Sequence, residues 1–183
     1  MSDSIQLKYA LSEEDYLVYN LFSAARSRQF KRKLVAGRFI VGALYLIAGI
    51  SFLMADNASI ATAFFLFGLA WIFFYPVRVK YLYKRHFTKH IQENLKDALD
   101  KEGDFSIQSG ESKLSVLGQE FRFSLDQITH IDRIPEYTLI KIKGGKSVII
   151  PEKKVQESDL NKVFKIIHES TGIKPFLDLN WKW

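Results

Sequence analysis

Residues 34–54 read LVAGRFIVGALYLIAGISFLM, residues 55–59 read ADNAS, and residues 60–77 read IATAFFLFGLAWIFFYPV. The first run carries a single charge, Arg38, and the second carries none. As helices rising 1.5 Å per residue, they would extend about 31 Å and about 27 Å, close to the thickness of a bilayer core. The short polar link can turn one helix antiparallel to the other. The stretch therefore predicts a transmembrane hairpin with spans 34–54 and 60–77.

Basic residues flank both apolar runs. Residues 26–38 contain six cations and no acid, residues 78–89 contain five cations and no acid, and the link contains no cation. The positive-inside rule therefore predicts a multi-pass protein of the inner membrane, with both termini cytoplasmic and Asp56 outside. We expect contact with the headgroups of anionic lipids at Arg26, Arg28, Lys31, Arg32, Lys33, Arg38, Arg78, Lys80, Lys84 and Arg85.

The charge of the rest of the chain differs from that of the flanks. Outside the flanks, 15 Lys and Arg residues stand against 20 carboxylates, so the soluble part is mildly acidic. We therefore expect no nucleic-acid partner. The chain has no cysteine, which excludes disulfides and thiolate metal sites. Its polar first thirty residues predict no cleaved signal peptide.

Two features of the runs have alternative interpretations. Small residues recur seven apart, so each pair lies on one helix face and would let the backbones approach, or they are simply common in membrane helices. Arg38 lies about one turn inside the first run, and its side chain is expected to reach the headgroups. The small-residue pairs are Gly42 with Gly49, Ala48 with Ala55, Ala61 with Gly68, and Ala63 with Ala70.

Short alternating segments follow the second run. They predict a meander of about five antiparallel strands, with turns at Ser109-Gly110, Gly118-Gln119 and Gly144-Gly145. A last helix is predicted from Ser158 as N-cap to about Gly172, which gives an α+β fold with a partly open barrel of pleckstrin-homology type. The predicted organisation is a cytoplasmic strand and helix with Ser12 as N-cap in residues 1–33, the hairpin in 34–77, a juxtamembrane helix in 78–102, the sheet domain in 103–172 and a tail in 173–183.

The arrangement resembles the YcxB-like family of bacterial proteins. The resemblance rests on YALSEED at 9–15, FSI at 105–107, FSLDQI at 123–128, and a hairpin over 137–151 that ends in VIIP. It implies a bacterial inner-membrane protein with a small cytoplasmic domain of pleckstrin-homology type. It carries over no catalytic residue. The tail after Gly172, with Trp181 and Trp183, is not a feature of that family.

No enzyme signature stands out in the sequence. It contains no phosphate-binding glycine loop, no Gly-x-Ser-x-Gly and no His-Glu-x-x-His. Three weaker patterns have commoner explanations. His86 with His90 suggests interfacial polar groups, His130 with Asp132 and Arg133 suggests a surface bend, and Gly144-Gly145-Lys146 suggests a hairpin turn. We therefore expect no catalytic residue, metal or cofactor.

The leading functional hypothesis is a non-enzymatic, membrane-anchored interaction module that binds a protein partner at the cytoplasmic face. Two alternatives remain open: an immunity protein against a membrane-acting or translocated toxin, and a membrane enzyme with an unrecognised interfacial site. A homodimer is possible, since helical hairpins often associate. The tail tryptophans either dock onto the sheet domain or touch the membrane interface.

Overall fold

The computed structural model describes residues 4–108, 111–116 and 119–183. The helices are α1 (Glu13–Arg26), α2 (Arg28–Met54), α3 (Ala58–Asn94) and α4 (Glu157–Thr171). The strands are β1 (Ile5–Ala10), β2 (Glu102–Gln108), β3 (Glu111–Val116), β4 (Gln119–Ser124), β5 (Ile128–Ile134), β6 (Tyr137–Ile142), β7 (Ser147–Pro151) and β8 (Phe176–Leu177). The chain forms two compact units, a helical unit of Asn20–Thr88 with Trp183 and a sheet unit of Met1–Tyr19 with Lys89–Lys182.

The helical unit is an antiparallel pair built from the two apolar runs. Helices α2 and α3 contain the predicted spans and are long and apolar enough to cross a membrane. Only 11 % of the apolar 18-residue stretch in each helix is buried. Large side chains such as Met54, Phe73 and Phe74 are 83 %, 70 % and 71 % exposed. A core helix of a soluble protein would have most of these side chains covered, so these helices present an apolar outer surface.

Glycines line the contact between α2 and α3. A Cβ added at Gly42 would lie 2.9 Å from Cγ1 of Ile72, and one added at Gly49 would lie 2.6 Å from Cε1 of Phe65. Gly68 faces the carbonyl oxygen of Gly42, which lies 3.6 Å from its added Cβ. Of the predicted pairs, Gly42 with Gly49 and Ala61 with Gly68 are buried, whereas the pair Ala63 and Ala70 is exposed. Close helix approach is thus the correct interpretation for the first two pairs.

Replacing Gly49 by valine is expected to destabilise the hairpin by roughly 1–3 kcal/mol, because the added carbons overlap the ring of Phe65. Thermal unfolding of the full-length protein in detergent micelles would measure the change. Ala63→Val is the matched control, since Ala63 is exposed on α3. Equal midpoints for the two variants would contradict the packing argument.

The sheet unit contains two four-stranded sheets. The first has the order β1-β2-β3-β4 and is antiparallel throughout, with Leu7 opposite Phe105. The second has the order β7-β6-β5-β8, in which β8 runs parallel to β5. Side chains alternate along β1, where Ile5, Leu7 and Tyr9 are buried. This period of two places one face of each strand in the core.

Helix α4 covers the core that the two sheets share. Its buried residues Leu160, Val163, Ile166 and Ile167 recur at helical spacing and join one apolar cluster with residues of both sheets. The helix ends at Gly172, whose φ of +72° is the left-handed conformation that glycine adopts without steric cost. The predicted stop near Gly172 is confirmed.

The five strands predicted after the second run are present as β2, β3, β4, β6 and β7, but they do not form a single meander, since they belong to two four-stranded sheets that also contain β1, β5 and β8. Strand β5 was missed because its buried apolar residues Ile128, Ile131 and Ile134 are three apart, and a register shift interrupts its pairing with β6. The bend predicted at His130 is therefore part of a strand. The turns predicted at Ser109-Gly110 and at Gly118 lie outside the described residues. The turn at Gly144-Gly145 is confirmed, with φ of +86° and +83°.

Two helix boundaries differ from the predictions. The juxtamembrane helix was expected to reach Glu102-Gly103, but α3 ends at Asn94 and Glu102 already opens β2. The amide of Asp100 donates to the carbonyl of Leu11 at 2.9 Å, so pairing with the β1 region replaces helical bonds here. Helix α4 is capped by Gln156 and not by Ser158, since the amides of Asp159 and Leu160 both donate to the carbonyl of Gln156.

Candidate functional site

The predicted headgroup contacts lie at one end of the hairpin. Ring contacts between Phe30 and Tyr83, whose centroids are 4.8 Å apart, join the start of α2 to the basic segment of α3. Asp56 lies at the opposite end, in the link. Nine of the ten predicted residues are exposed, and we name them the basic collar. They are Arg26, Arg28, Lys31, Arg32, Lys33, Arg78, Lys80, Lys84 and Arg85.

An aromatic cluster lies within the basic collar. The ring of Phe30 contacts Tyr83 and also Trp183, at a centroid distance of 5.5 Å. The indole N–H of Trp183 donates to the carbonyl of Lys80 at 3.3 Å, and the Lys80 ammonium lies 5.9 Å from the indole ring. Trp183 therefore packs on the helical unit, whereas the first interpretation of the tail had it dock onto the sheet domain.

Arg38, the tenth predicted residue, is half-buried between the helices. Its Nε donates to the carbonyl of Ile72 at 3.0 Å. In a regular helix that carbonyl would accept from the amide of residue 76, but residue 76 is proline, which has no N–H. The guanidinium of α2 thus supplies the hydrogen bond that Pro76 removes from α3. The prediction that the Arg38 side chain reaches the headgroups did not include this contact. The sequence signal for it is Pro76, which leaves the carbonyl four residues earlier in the helix without its usual donor.

A second hydrogen bond joins the helices beside Arg38. The indole N–H of Trp71 donates to the carbonyl of Gly37 at 3.0 Å. The ring of Trp71 also packs against Tyr75 at a centroid distance of 5.2 Å. Neighbouring residues of α2, Gly37 and Arg38, are therefore each tied to neighbouring residues of α3.

The sheet unit holds a buried carboxylate at the start of α1. Asp15, 4 % exposed, accepts from the amide of Ser12 at 2.7 Å, from Nζ of Lys154 at 2.7 Å and from the hydroxyl of Tyr137 at 3.0 Å. The Ser12 hydroxyl accepts from the Asp15 amide at 3.4 Å, so the predicted N-cap is confirmed as half of a capping box. Burial alone would raise the pKa of Asp15, but the bonds from Lys154 and Ser12 outweigh it and lower the pKa.

Two further carboxylates are held by cations on the second sheet. Asp132, 1 % exposed, lies 3.1 Å from Nε2 of His130 and 3.0 Å from Nζ of Lys141. Glu152 binds the guanidinium of Arg133 with two bonds of 2.8 Å. The His130 and Asp132 pair could have formed a general-base fragment, but Lys141 also occupies the carboxylate. These carboxylates stabilise strand pairing.

A small cavity lies between the sheets. It has a volume of about 90 Å³ and is lined chiefly by Tyr9, Leu11, Tyr16 and Ile149. The hydroxyl of Tyr9 is buried and has no hydrogen-bond partner among the described residues. Burial raises the pKa of Tyr9, so the phenol stays neutral. A cavity of this size can hold a few water molecules that would satisfy the hydroxyl.

The weaker sequence patterns occupy ordinary structural positions. His90 pairs through Nδ1 with the side chain of Asn94 at 3.0 Å, and the ring of His86 packs on Phe87. Within residues 4–108, 111–116 and 119–183, no group of three or more His, Cys, Asp or Glu could hold a metal ion. The ammonium of Lys146 lies 3.7 Å from the ring centre of Phe121, so it makes a cation–π contact beside its turn.

The chain is therefore an α+β protein that combines an apolar two-helix hairpin with a basic end, two mainly antiparallel sheets and a closing helix. No family model, curated protein or solved structure matches it.

Proposed function

We propose that the chain is a non-enzymatic interaction module of the YcxB-like family, anchored by its hairpin at the cytoplasmic face of the bacterial inner membrane. One observation carries the anchoring: exposed apolar side chains surround both helices from Val35 to Leu82. Soluble monomers rarely expose so many neighbouring large apolar side chains. A hydrocarbon environment would cover them.

The basic collar supports the cytoplasmic orientation. Its nine cations lie at one end of the hairpin, and Asp56 lies at the other. Each cation near an anionic leaflet contributes roughly 1 kcal/mol of attraction. The collar would therefore hold that end against the cytoplasmic leaflet and leave Asp56 outside.

The sheet unit is proposed as the part that binds a protein partner. Two four-stranded sheets closed by α4 agree with the proposed pleckstrin-homology type. The carboxylates Asp15, Asp132 and Glu152 are each paired with a cation. These ion pairs join strands and the N-terminal segment, as the scaffold of a binding module requires.

Cysteine labelling in intact spheroplasts tests the orientation. The chain contains no cysteine, so Ser4→Cys, Asp56→Cys and Lys182→Cys each introduce a single site. A membrane-impermeant maleimide is expected to label position 56 and neither of the others. All three should react after permeabilisation, which is the control for accessibility. Labelling of position 4 or 182 in intact spheroplasts, or protection of 56, would overturn the proposed orientation.

A further inference from the structure

The guanidinium of Arg38 uses one of its two hydrogen-bonding edges inside the protein. Nε is bound to the carbonyl of Ile72, and the ring of Phe39 lies 5.5 Å from the guanidinium carbon. Among the described residues, no carboxylate forms an ion pair with Arg38. The two terminal nitrogens, with four N–H donors, therefore lack an anionic partner from these residues.

The sequence also offers no nearby anion. Asp56 is the one carboxylate between Asp15 and Glu93, and it lies in the link at the far end of the hairpin. Arg38 is four residues inside the apolar run, or about 6 Å along the helix. A charge at that depth is costly unless an anion or hydrogen-bond acceptor compensates it. Apart from the Ile72 carbonyl and the ring of Phe39, no described residue compensates the Arg38 charge, so an anion from outside the chain can do so.

We propose that Arg38 binds the phosphate of one anionic phospholipid through its two terminal nitrogens, at a defined site distinct from the basic collar. The inference rests on the proposed membrane anchoring. The bond from Nε to Ile72 fixes the guanidinium plane, so the terminal nitrogens form a preorganised fork. That fork matches two oxygens of one phosphate group. The collar cations, in contrast, are exposed and attract the leaflet without such geometry.

Lysine at position 38 separates this site from general attraction. Arg38→Lys keeps the charge and can still donate to the Ile72 carbonyl, but its ammonium offers no planar fork. We expect this variant to bind the first phosphatidylglycerol molecule roughly tenfold more weakly than the wild type. Native mass spectrometry of the full-length protein, titrated with phosphatidylglycerol in detergent, measures that affinity. Lys33→Met, which removes a collar charge, should change it less than about twofold.

A second pair of variants distinguishes a loss of lipid affinity from a loss of hairpin stability. Pro76→Ala restores an amide to the Ile72 carbonyl, so the hairpin no longer needs Arg38 for that bond. In this background, Arg38→Met should leave thermal unfolding unchanged and still lower the affinity for phosphatidylglycerol roughly tenfold. The proposed site would be overturned if Arg38→Met left the affinity for phosphatidylglycerol unchanged in the Pro76→Ala background. It would also be overturned if Arg38→Lys and Lys33→Met lowered that affinity equally.

Two ligand controls define the source of the phosphate. Diacylglycerol, which lacks the phosphate, should not occupy the site, and inorganic phosphate should not displace phosphatidylglycerol at equal concentration. Displacement by inorganic phosphate would overturn the lipid assignment in favour of a soluble anion. Flotation of the wild-type protein with phosphatidylglycerol and phosphatidylethanolamine vesicles tests the anchoring separately. If the protein floats but Arg38→Lys binds the first phosphatidylglycerol as tightly as the wild type, only this inference fails. If the protein does not float, the proposed function fails.

Discussion

Replacing Asp15 by alanine is expected to destabilise the sheet unit by roughly 2–4 kcal/mol. The carboxylate is buried at the start of α1 and binds three donors, from Ser12, Tyr137 and Lys154. Alanine would leave the Tyr137 hydroxyl without its acceptor and would also remove half of the capping box. Lys154 would lose its counter-ion, but its side chain is 39 % exposed and water can replace part of that bond. The loss is therefore smaller than for a fully buried ion pair.

The position of Asp15 in the fold explains why one side chain has so large an effect. Lys154 also donates to the carbonyl of Ala10 at 2.8 Å, so one ammonium joins the end of β1 to the start of α1. Tyr137 opens β6 in the second sheet, whereas β1 belongs to the first. Asp15 thus connects the N-terminal segment to the second sheet. We expect its loss to increase the solvent exposure of the β1 backbone more than that of the other strands.

Hydrogen exchange of the full-length protein in detergent micelles measures this effect by strand. We expect faster exchange in β1, β6 and β7 of Asp15→Ala than in the wild type. Asp159→Ala is the matched control, because Asp159 forms a more exposed ion pair with Lys162 on α4 and should cost less than about 1 kcal/mol. Similar exchange in the two variants would show that the Asp15 contacts add little.

The same carboxylate should make the stability of the sheet unit depend on pH. The folded-state pKa of Asp15 lies below its unfolded value of about 3.9. Its contribution is therefore fully present above that unfolded pKa and is lost as pH falls through the folded pKa. The difference in stability between wild type and Asp15→Asn should be constant near pH 6 and should shrink below about pH 4.

Replacing Arg38 by methionine is expected to destabilise the hairpin by roughly 1–3 kcal/mol, and Pro76→Ala should remove most of that loss. Methionine leaves the Ile72 carbonyl without a donor in apolar surroundings, because Pro76 has no N–H to offer. Alanine at 76 supplies the missing amide from within α3. The two substitutions should therefore be strongly non-additive.

Thermal unfolding in detergent of the wild type, both single variants and the double variant completes the cycle. The cost of Arg38→Met should fall below about 0.5 kcal/mol in the Pro76→Ala background. Lys33→Met serves as the control for removal of a basic residue and should have a similar small effect in both backgrounds. Additive effects of Arg38→Met and Pro76→Ala would mean that the guanidinium does not replace the missing amide.

Much of the local structure could be predicted from the sequence. The apolar runs, the Ser12 cap, the strand in residues 1–33 and the stop near Gly172 all appear where their patterns predicted. Each depends on a short stretch of residues, whose spacing or cap chemistry determines its own conformation. Strand β5 could not be predicted in this way because its apolar residues do not alternate, and β8 could not because it is only two residues long.

The candidate sites depend on partners that are distant in the chain. The sequence by itself determined two apolar helices, a basic cluster at their shared end, and alternating strands after them, because these properties are local and periodic. Only the tertiary structure decided that Arg38 meets Ile72, and that Asp15 meets Lys154, 139 positions away. A charged side chain carries no local signal of its partner. That partner is chosen when packing brings the two groups together and excludes water from them.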